Sequence, residues 1–439
     1  MSDFGKQTFR SLNIFNYRLW VSGAIVSNVG TWMQRTAQDW IVLTQLTHNN
    51  ATALGVVMAL QFAPQILLLP ITGYAADHLE RRKLLLATQS AMGVLAAGLG
   101  VLTISGFVQL WHVYVFAFLF GCASAFDTPT RQTFVSELVG EGDLSNAVAL
   151  NSTTFNAARM IGPSIAGVLV ASVGCGWVFL INGVSFAAVI VSLSLLRVDE
   201  LQRVDRPPAK KGALIDGFRY VAKADDLKTV MIMLFLIGTF GLNFPIFIST
   251  MAVTVFHTGA AKYGLLTSTM AIGSIIGALL SARRAKPKVA YLLAGVATFG
   301  LGCTLAALMP NYWLFGMALI VIGMSAQTFT TTANSTVQLA TDRNMRGRVM
   351  AIYVAVLLGG TPIGAPIVGW VADKMGARWA LGVGAAAGFA AALVGILYLV
   401  KHRNLRLYSE GWRLRIAIDG ESGSGSKPVQ INSTDSESP

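Results

Sequence analysis

Four charged side chains interrupt long apolar runs: Arg35, Asp39, Asp127 and Arg159. A charge in such surroundings is costly, so each marks either a function or a fixed partner. Arg35 and Asp39 lie four residues apart, which puts them on one face of a helix. Two readings of that pair stand. It is a permanent structural pair in which each charge neutralises the other, or it is a carboxylate whose partner is released when a proton binds. A carboxylate set in an apolar cavity can take up and release a proton. Asp39 and Asp127 are therefore the candidates for proton coupling, with Arg35 or Arg159 as the cation that pairs and lets go. Trp32 and Gln38 are expected to line a cavity beside them. The later part of the chain offers uncharged polar groups in equivalent runs, Asn243, Gln327, Thr331 and Asn334.

No catalytic constellation accompanies these residues. The five histidines form no ligand cluster, and Cys122, Cys175 and Cys303 are far apart with neither disulfide nor metal spacing. There is no G-x-x-x-x-G-K-[ST] phosphate loop. We expect no metal, no cofactor and no enzymatic reaction.

The elements that position these residues follow from composition. Of 439 residues 54% are hydrophobic, and 12% are Asp, Glu, Lys or Arg, against about 25% in an ordinary soluble domain. Mean hydropathy is +0.59. A soluble core of this size cannot hide so much apolar surface, whereas a bilayer can. Twelve helices of about 20 residues each fit the length. The runs predict helices near 18–45, 53–76, 84–105, 111–130, 147–171 and 177–196. Six more fall near 229–255, 263–282, 289–309, 313–338, 348–373 and 379–400. The fold class is an all-α membrane protein. No cleaved signal peptide is expected, since Met1 to Tyr17 is polar and basic.

Charge placement gives orientation. The formal net charge is +12. If the N-terminus faces the cytoplasm, 28 of the 33 Lys and Arg fall on cytoplasmic segments. The opposite side receives Lys262, Lys374 and Arg378. This is the positive-inside asymmetry. It accounts for the basic charge without nucleic acid, and it puts both termini in the cytoplasm.

The two halves resemble each other. Gly162-Pro163-Ser164-Ile165-Ala166-Gly167 aligns with Gly364-Ala365-Pro366-Ile367-Val368-Gly369 at an offset of 202. Gly174 and Trp177 meet Gly376 and Trp379 at the same offset. Nearer the start of each half, Leu54-Gly55 meets Tyr263-Gly264 at an offset of 209. By these offsets Arg35, Asp39, Asp127 and Arg159 correspond to Phe244, Ile248, Phe329 and Thr361. The charges are therefore confined to the first half. The expected organisation is an N-terminus (1–17), a six-helix bundle (18–196), a cytoplasmic linker (197–228), a second six-helix bundle (229–400) and a cytoplasmic tail (401–439). The tail is Ser- and Gly-rich and expected to be disordered from about 421. Arg413 to Ile416, with Trp412, suggests either a segment lying on the anionic inner leaflet or a solvated tail. Repeat-built membrane proteins place their site between the repeats, near the membrane midplane.

Three motifs carry a family resemblance. Gly73-Tyr74-Ala75-Ala76-Asp77-His78-Leu79-Glu80-Arg81-Arg82-Lys83 resembles the signature loop of the major facilitator superfamily. His78 and Glu80 depart from its pattern, and Ser281 replaces the acid in the second half. Gly73 would let helices approach closely, and Asp77 would pair with Arg81 or Arg82. The resemblance implies that this loop locks one conformation. Gly162, Pro163 and Gly167 resemble the antiporter motif of the superfamily's exporters. Thr31 to Gln34, Phe126 to Val135 and Asn146 to Ser152 are similar to the branch of transmembrane secretion effector type, which includes the enterobactin exporter and macrolide and multidrug effluxers.

The resemblance implies a major facilitator fold and a secondary transporter in the cytoplasmic membrane. It would export a drug, siderophore or secondary metabolite by alternating access, as a proton antiporter and a monomer. The alternative is an uptake permease for a small nutrient. The expected partners are a small-molecule substrate, protons and the lipid bilayer, with no nucleic acid.

Overall fold

A computed structural model describes residues 9–202, 213–283, 289–342, 344–402, 406–410 and 413–417. Asp77 is placed in its helix, but its side chain lies outside the described set, as do Trp412 and the tail from 418 onward. The expectations for the Asp77 side chain, for Trp412 and for disorder from 421 therefore fall outside the described residues.

The apolar runs form helices throughout. In the first half these are α1 (Phe15–Ile41), α2 (Ala51–Leu67), α3 (Leu69–His78), α4 (Arg81–Ile104), α5 (Leu110–Val173) and α6 (Cys175–Ser194). A short α7 (Ala213–Lys223) precedes the second half. That half holds α8 (Asp225–Leu236), α9 (Phe244–Thr250), α10 (Ala260–Ala282), α11 (Val289–Leu308), α12 (Tyr312–Ala340), α13 (Arg346–Gly359), α14 (Thr361–Met375) and α15 (Ala377–His402). Among the described residues nine helical stretches are long and apolar enough to cross a membrane. One of these, α5, counts twice. With α1 and the α2–α3 pair, the total is twelve spans in two bundles of six.

Helix α5 differs from the expected pair of helices separated by a loop. Its 64 residues would run about 96 Å if straight, some three times a bilayer core. The chain instead reverses at Gly140, where φ is 68° and ψ 179°. This left-handed region suits a residue without Cβ. The two limbs then lie side by side, with Asp127, Thr128 and Arg131 facing Asn151, Ser152 and Asn156 across one cavity. The residues expected to form a loop stay helical because they are anchored. Phe134, Val135, Leu138 and Ala147 pack with Tyr17 and Trp20. Glu137 pairs with Arg81 at 2.6 Å.

Other departures have local causes. The second expected helix breaks at Leu68, between α2 and α3. Pro70 has no N–H to reach the Ile66 carbonyl. The seventh is interrupted by π-helical turns at Ile237–Gly241 and Met251–Val255. Part of the expected linker is helical, since α7 buries Val221 and pairs Asp216 with Arg348 at 3.3 Å. In the tail, β1 (Arg406–Glu410) and β2 (Arg413–Ala417) form an antiparallel hairpin with Arg406 opposite Ala417. The expected alternatives for Arg413–Ile416 included no strand, because two five-residue strands are too short to leave a periodic signature.

Burial runs inside out, as a bilayer requires. Large apolar side chains point outward, among them Val94, Val184, Leu279 and Trp313, each more than 60% exposed. The polar groups Gln34, Gln89, Asp127, Asn182 and Asn243 are buried. All of these but Asn243 find partners on neighbouring helices, as where Asn182 Nδ2 donates to Gln34 Oε1 at 2.6 Å.

The bundles meet through two crossings that are copies of one another. At the first, Gly55 of α2 faces the Ala365 carbonyl of α14, and Gly369 faces that of Ala51. At the second, Gly264 of α10 faces the Pro163 carbonyl of α5, and Gly167 faces that of Ala260. The offsets 209 and 202 map one crossing onto the other. Glycine is required here because an added Cβ would enter the facing carbonyl. Asp373 finishes the first crossing. It accepts from the Ala51 and Thr52 backbone N–H groups at 2.7 and 2.8 Å. At the opposite end Gly73 is exposed, and a Cβ there would meet nothing within 4 Å. Among the described residues no neighbouring helix lies against Gly73 in this arrangement.

Candidate functional site

Helix α1 supplies the charged wall of a central cavity of about 300 Å³. Residues spaced three and four apart share a helix face, so Trp32, Arg35, Thr36 and Asp39 point together into this space. Met58, Gln61 and Phe62 of α2 and Arg159 of α5 complete the wall from the first bundle. The second bundle answers with equivalent positions. Phe244, Pro245 and Ile248 stand opposite as the copies of Arg35, Thr36 and Asp39. Thr267, Met270 and Ala271 copy Met58, Gln61 and Phe62, and Thr361 copies Arg159. The cavity therefore lies on the pseudo-twofold axis between the bundles, with charge on one side only.

Asp39 is tied to the other bundle. Tyr263 of α10 donates its hydroxyl to Asp39 Oδ2 at 3.1 Å. Trp40 stacks on the Tyr263 ring, with centroids 5.8 Å apart and planes at 24°. Both Asp39 and Tyr263 are buried. Arg35 and Asp39 feel each other's charge but make no ion pair within 4 Å in this arrangement. The Arg35 guanidinium lies instead over the rings of Trp32 and Phe62, at 5.1 and 5.9 Å. The Nε atoms of Arg35 and Arg159 are buried without a hydrogen-bond partner.

Asp127 lies elsewhere, in a second cavity of about 340 Å³ within the first bundle. It accepts from Thr88 Oγ1 at 2.9 Å and from Gln89 Nε2 at 2.6 Å. Arg131 pairs with it at 3.0 Å and also donates to Asn28 Oδ1 at 3.2 Å. Its cation is thus Arg131, one turn along its own helix, rather than Arg35 or Arg159. Arg35 lines both cavities.

The remaining candidates divide in the same way. Gln327 lines the central cavity and donates to Thr331 Oγ1 at 3.0 Å. Gln38 is buried one residue off the Arg35–Asp39 face, outside the lining. Asn243 is fully buried and donates back to the Thr239 carbonyl at 2.8 Å. Asn334 accepts from Gln338 Nε2 at 2.7 Å, further along α12. In the signature loop, Arg81 pairs with Glu137. Arg82 caps α6 through the Leu193 carbonyl at 2.7 Å. Around the antiporter motif, Gly162 lets α5 approach α1, where a Cβ would meet Trp32 Cβ at 2.7 Å. Ser164 Oγ donates to Ser268 Oγ across the bundles at 2.8 Å.

Sequence reasoning missed Tyr263, Gln61, Arg131 and Asp373. A signal for Tyr263 existed in the repeat, where it replaces Leu54 beside the matched glycines. A large polar ring in place of leucine at a helix crossing marks a departure from symmetry.

Comparison with known proteins agrees with this architecture. A family model described as transmembrane secretion effector matches residues 5–422. The staphyloferrin A transporter of Staphylococcus aureus is 27% identical over 364 residues, 81% of this chain and 89% of that protein. The multidrug efflux pump Tap of Mycolicibacterium fortuitum is 25% identical over 80% of this chain and 88% of its own. The enterobactin exporter EntS of Salmonella typhimurium is 25% identical over 84% and 88%. Among solved structures, a bacterial homologue of the human lysosomal transporter Spinster, inward-facing and unoccupied, superposes with a TM-score of 0.67. It shares 15% identity and covers 87% of this chain and 95% of that one. An inward-facing bacterial homologue of the iron transporter ferroportin gives 0.69 at 13% identity, covering 87% and 98%. The shared fold is that of the major facilitator superfamily.

Proposed function

From the premise that this chain belongs to the transmembrane secretion effector family, we propose that it exports small organic molecules across the cytoplasmic membrane by alternating access, as a proton antiporter. The cargo class is a drug, siderophore or secondary metabolite. Relatives named as a siderophore exporter and a multidrug pump support the outward direction. The basic segments support cytoplasmic termini, with the linker at 197–228 joining the bundles on that side.

One observation carries the mechanism. Asp39, a carboxylate of the central cavity, is bound across the bundle interface by Tyr263. A hydrogen bond to an ionised acceptor is roughly twice as strong as a neutral one. In the cytoplasm-open state Asp39 has given up its proton and holds Tyr263; the arriving solute competes for this tie between α1 and α10, and the bundles rock apart at the Asp373 end. Open to the outside, the freed Asp39 takes up a proton, the bundles close again, and release of that proton to the cytoplasm restores the tie. In this account the closed crossings describe the state loaded from the cytoplasm. Asp39 serves as the coupling group, and Asp127 with Arg131 braces the first bundle.

The test is transport in proteoliposomes under an imposed pH gradient. Asp39→Asn should abolish acceleration by the gradient while leaving slow exchange, and Tyr263→Phe should reduce it in part. Gradient-driven efflux at the wild-type rate in Asp39→Asn would remove Asp39 from the coupling role.

A further inference from the structure

The central cavity holds more positive charge than its own residues neutralise. Arg35 and Arg159 reach it from α1 and α5, and a guanidinium stays charged in a protein. Asp39 is the one carboxylate among the lining residues, and it turns to Tyr263. Neither arginine forms a hydrogen bond or ion pair with a described residue, and the buried Nε of each is left without an acceptor. The rings of Trp32 and Phe62 hold the Arg35 plane in position but offer its N–H groups no oxygen. A buried charge without a hydrogen-bonded partner is strongly disfavoured. The opposite wall does nothing to offset it, because Phe244 and Thr361 occupy the equivalent positions.

We propose that the transported solute supplies the missing partner, and that it is an amphipathic molecule bearing a carboxylate. Arginine's fork of donors matches a carboxylate in two places at once. Arg159 and Arg35 bind that group, while Trp32, Phe62 and Phe244 take the apolar body. The one-sided charge also orients the solute, with its anionic end at Arg35 and Arg159 and its apolar body running past Trp32 and Phe62 toward Phe244 of the second bundle. This inference rests on reading the central cavity as the transport site.

Equilibrium binding to the full chain in zwitterionic-lipid nanodiscs tests it, using three probes of one shape. These are 1-naphthylacetate, neutral 1-naphthylacetamide and cationic 1-naphthylethylammonium. The acetate should bind about tenfold more tightly than the amide, as expected for a charge-assisted contact, and the ammonium should bind least. Arg159→Gln and Arg35→Gln should each erase most of that preference, the acetate losing far more affinity than the amide. Arg159→Lys should keep part of it. Equal binding of the three probes, or a preference unchanged in both glutamine variants, overturns the proposal. If the glutamine variants fold poorly, the ranking in the wild-type protein decides. Binding in a nanodisc has neither direction nor gradient. Anion preference without efflux from cells would therefore sink the exporter reading alone, and efflux without anion preference would sink this one alone.

Discussion

At the scale of single residues, two buried carboxylates of the first bundle live in opposite circumstances. Asp127 has two neutral donors and a guanidinium within 3.1 Å, all from its own bundle. Asp39 has one described hydrogen bond, and that bond spans the interface between the bundles, which the proposed mechanism opens. The consequence is separable by experiment. Asp127→Asn leaves the half-buried Arg131 without its counter-charge, so it should destabilise the protein by about 1–2 kcal/mol. The melting temperature in detergent should fall while transport at low temperature keeps its response to a pH gradient. Loss of that response at unchanged stability would return Asp127 to the coupling role.

At the scale of elements, the glycine crossings set how closely the bundles approach. Gly264 of α10 faces the Pro163 carbonyl with no room for a side chain. Gly264→Leu should hold the second crossing open, costing about 1–3 kcal/mol of overpacking in the closed arrangement. Transport should fall sharply, because one of the two alternating states is penalised. Gly73→Ala is the control. Its Cβ enters open space, so stability should stay within about 0.5 kcal/mol. Both are read by transport rate and melting temperature side by side. Equal behaviour of the two variants would mean that the crossing does not limit the cycle.

At the scale of the whole molecule, the pseudo-twofold symmetry is also broken at the ends of the two crossings. Asp373 caps the start of α2, whereas its repeat counterpart is Ala171, which has no carboxylate to offer α10. An acid at a helix N-terminus satisfies free N–H groups and the helix dipole. Asp373→Ala should therefore lower the ratio of closed to open arrangement about fivefold, from a cap worth about 1 kcal/mol. Spin labels at His48 and Lys374, both exposed beside this end, would report it as a longer distance component. An unchanged distance distribution would show that the glycine crossings hold this end closed without the cap.

The sequence by itself determined the membrane class, the helical runs, the two-bundle repeat and the family. Those properties reside in hydropathy, charge placement and local motifs, which need no third dimension to be read. Even the cavity's lopsided charge was legible, because the offsets pair Arg35 with Phe244 and Arg159 with Thr361. Only the tertiary structure decided which charges share a cavity and with what partners. Arg35 and Asp39 are four apart on one helix, yet the carboxylate bonds Tyr263, 224 positions away, and the cation lies on two aromatic rings. Asp127 and Arg131 likewise share a turn and do pair. Spacing along a helix brings two groups to one face but does not choose between a neighbour on that face and a better-placed group on another helix. That choice is made by how closely the bundles pack, which the glycine crossings set.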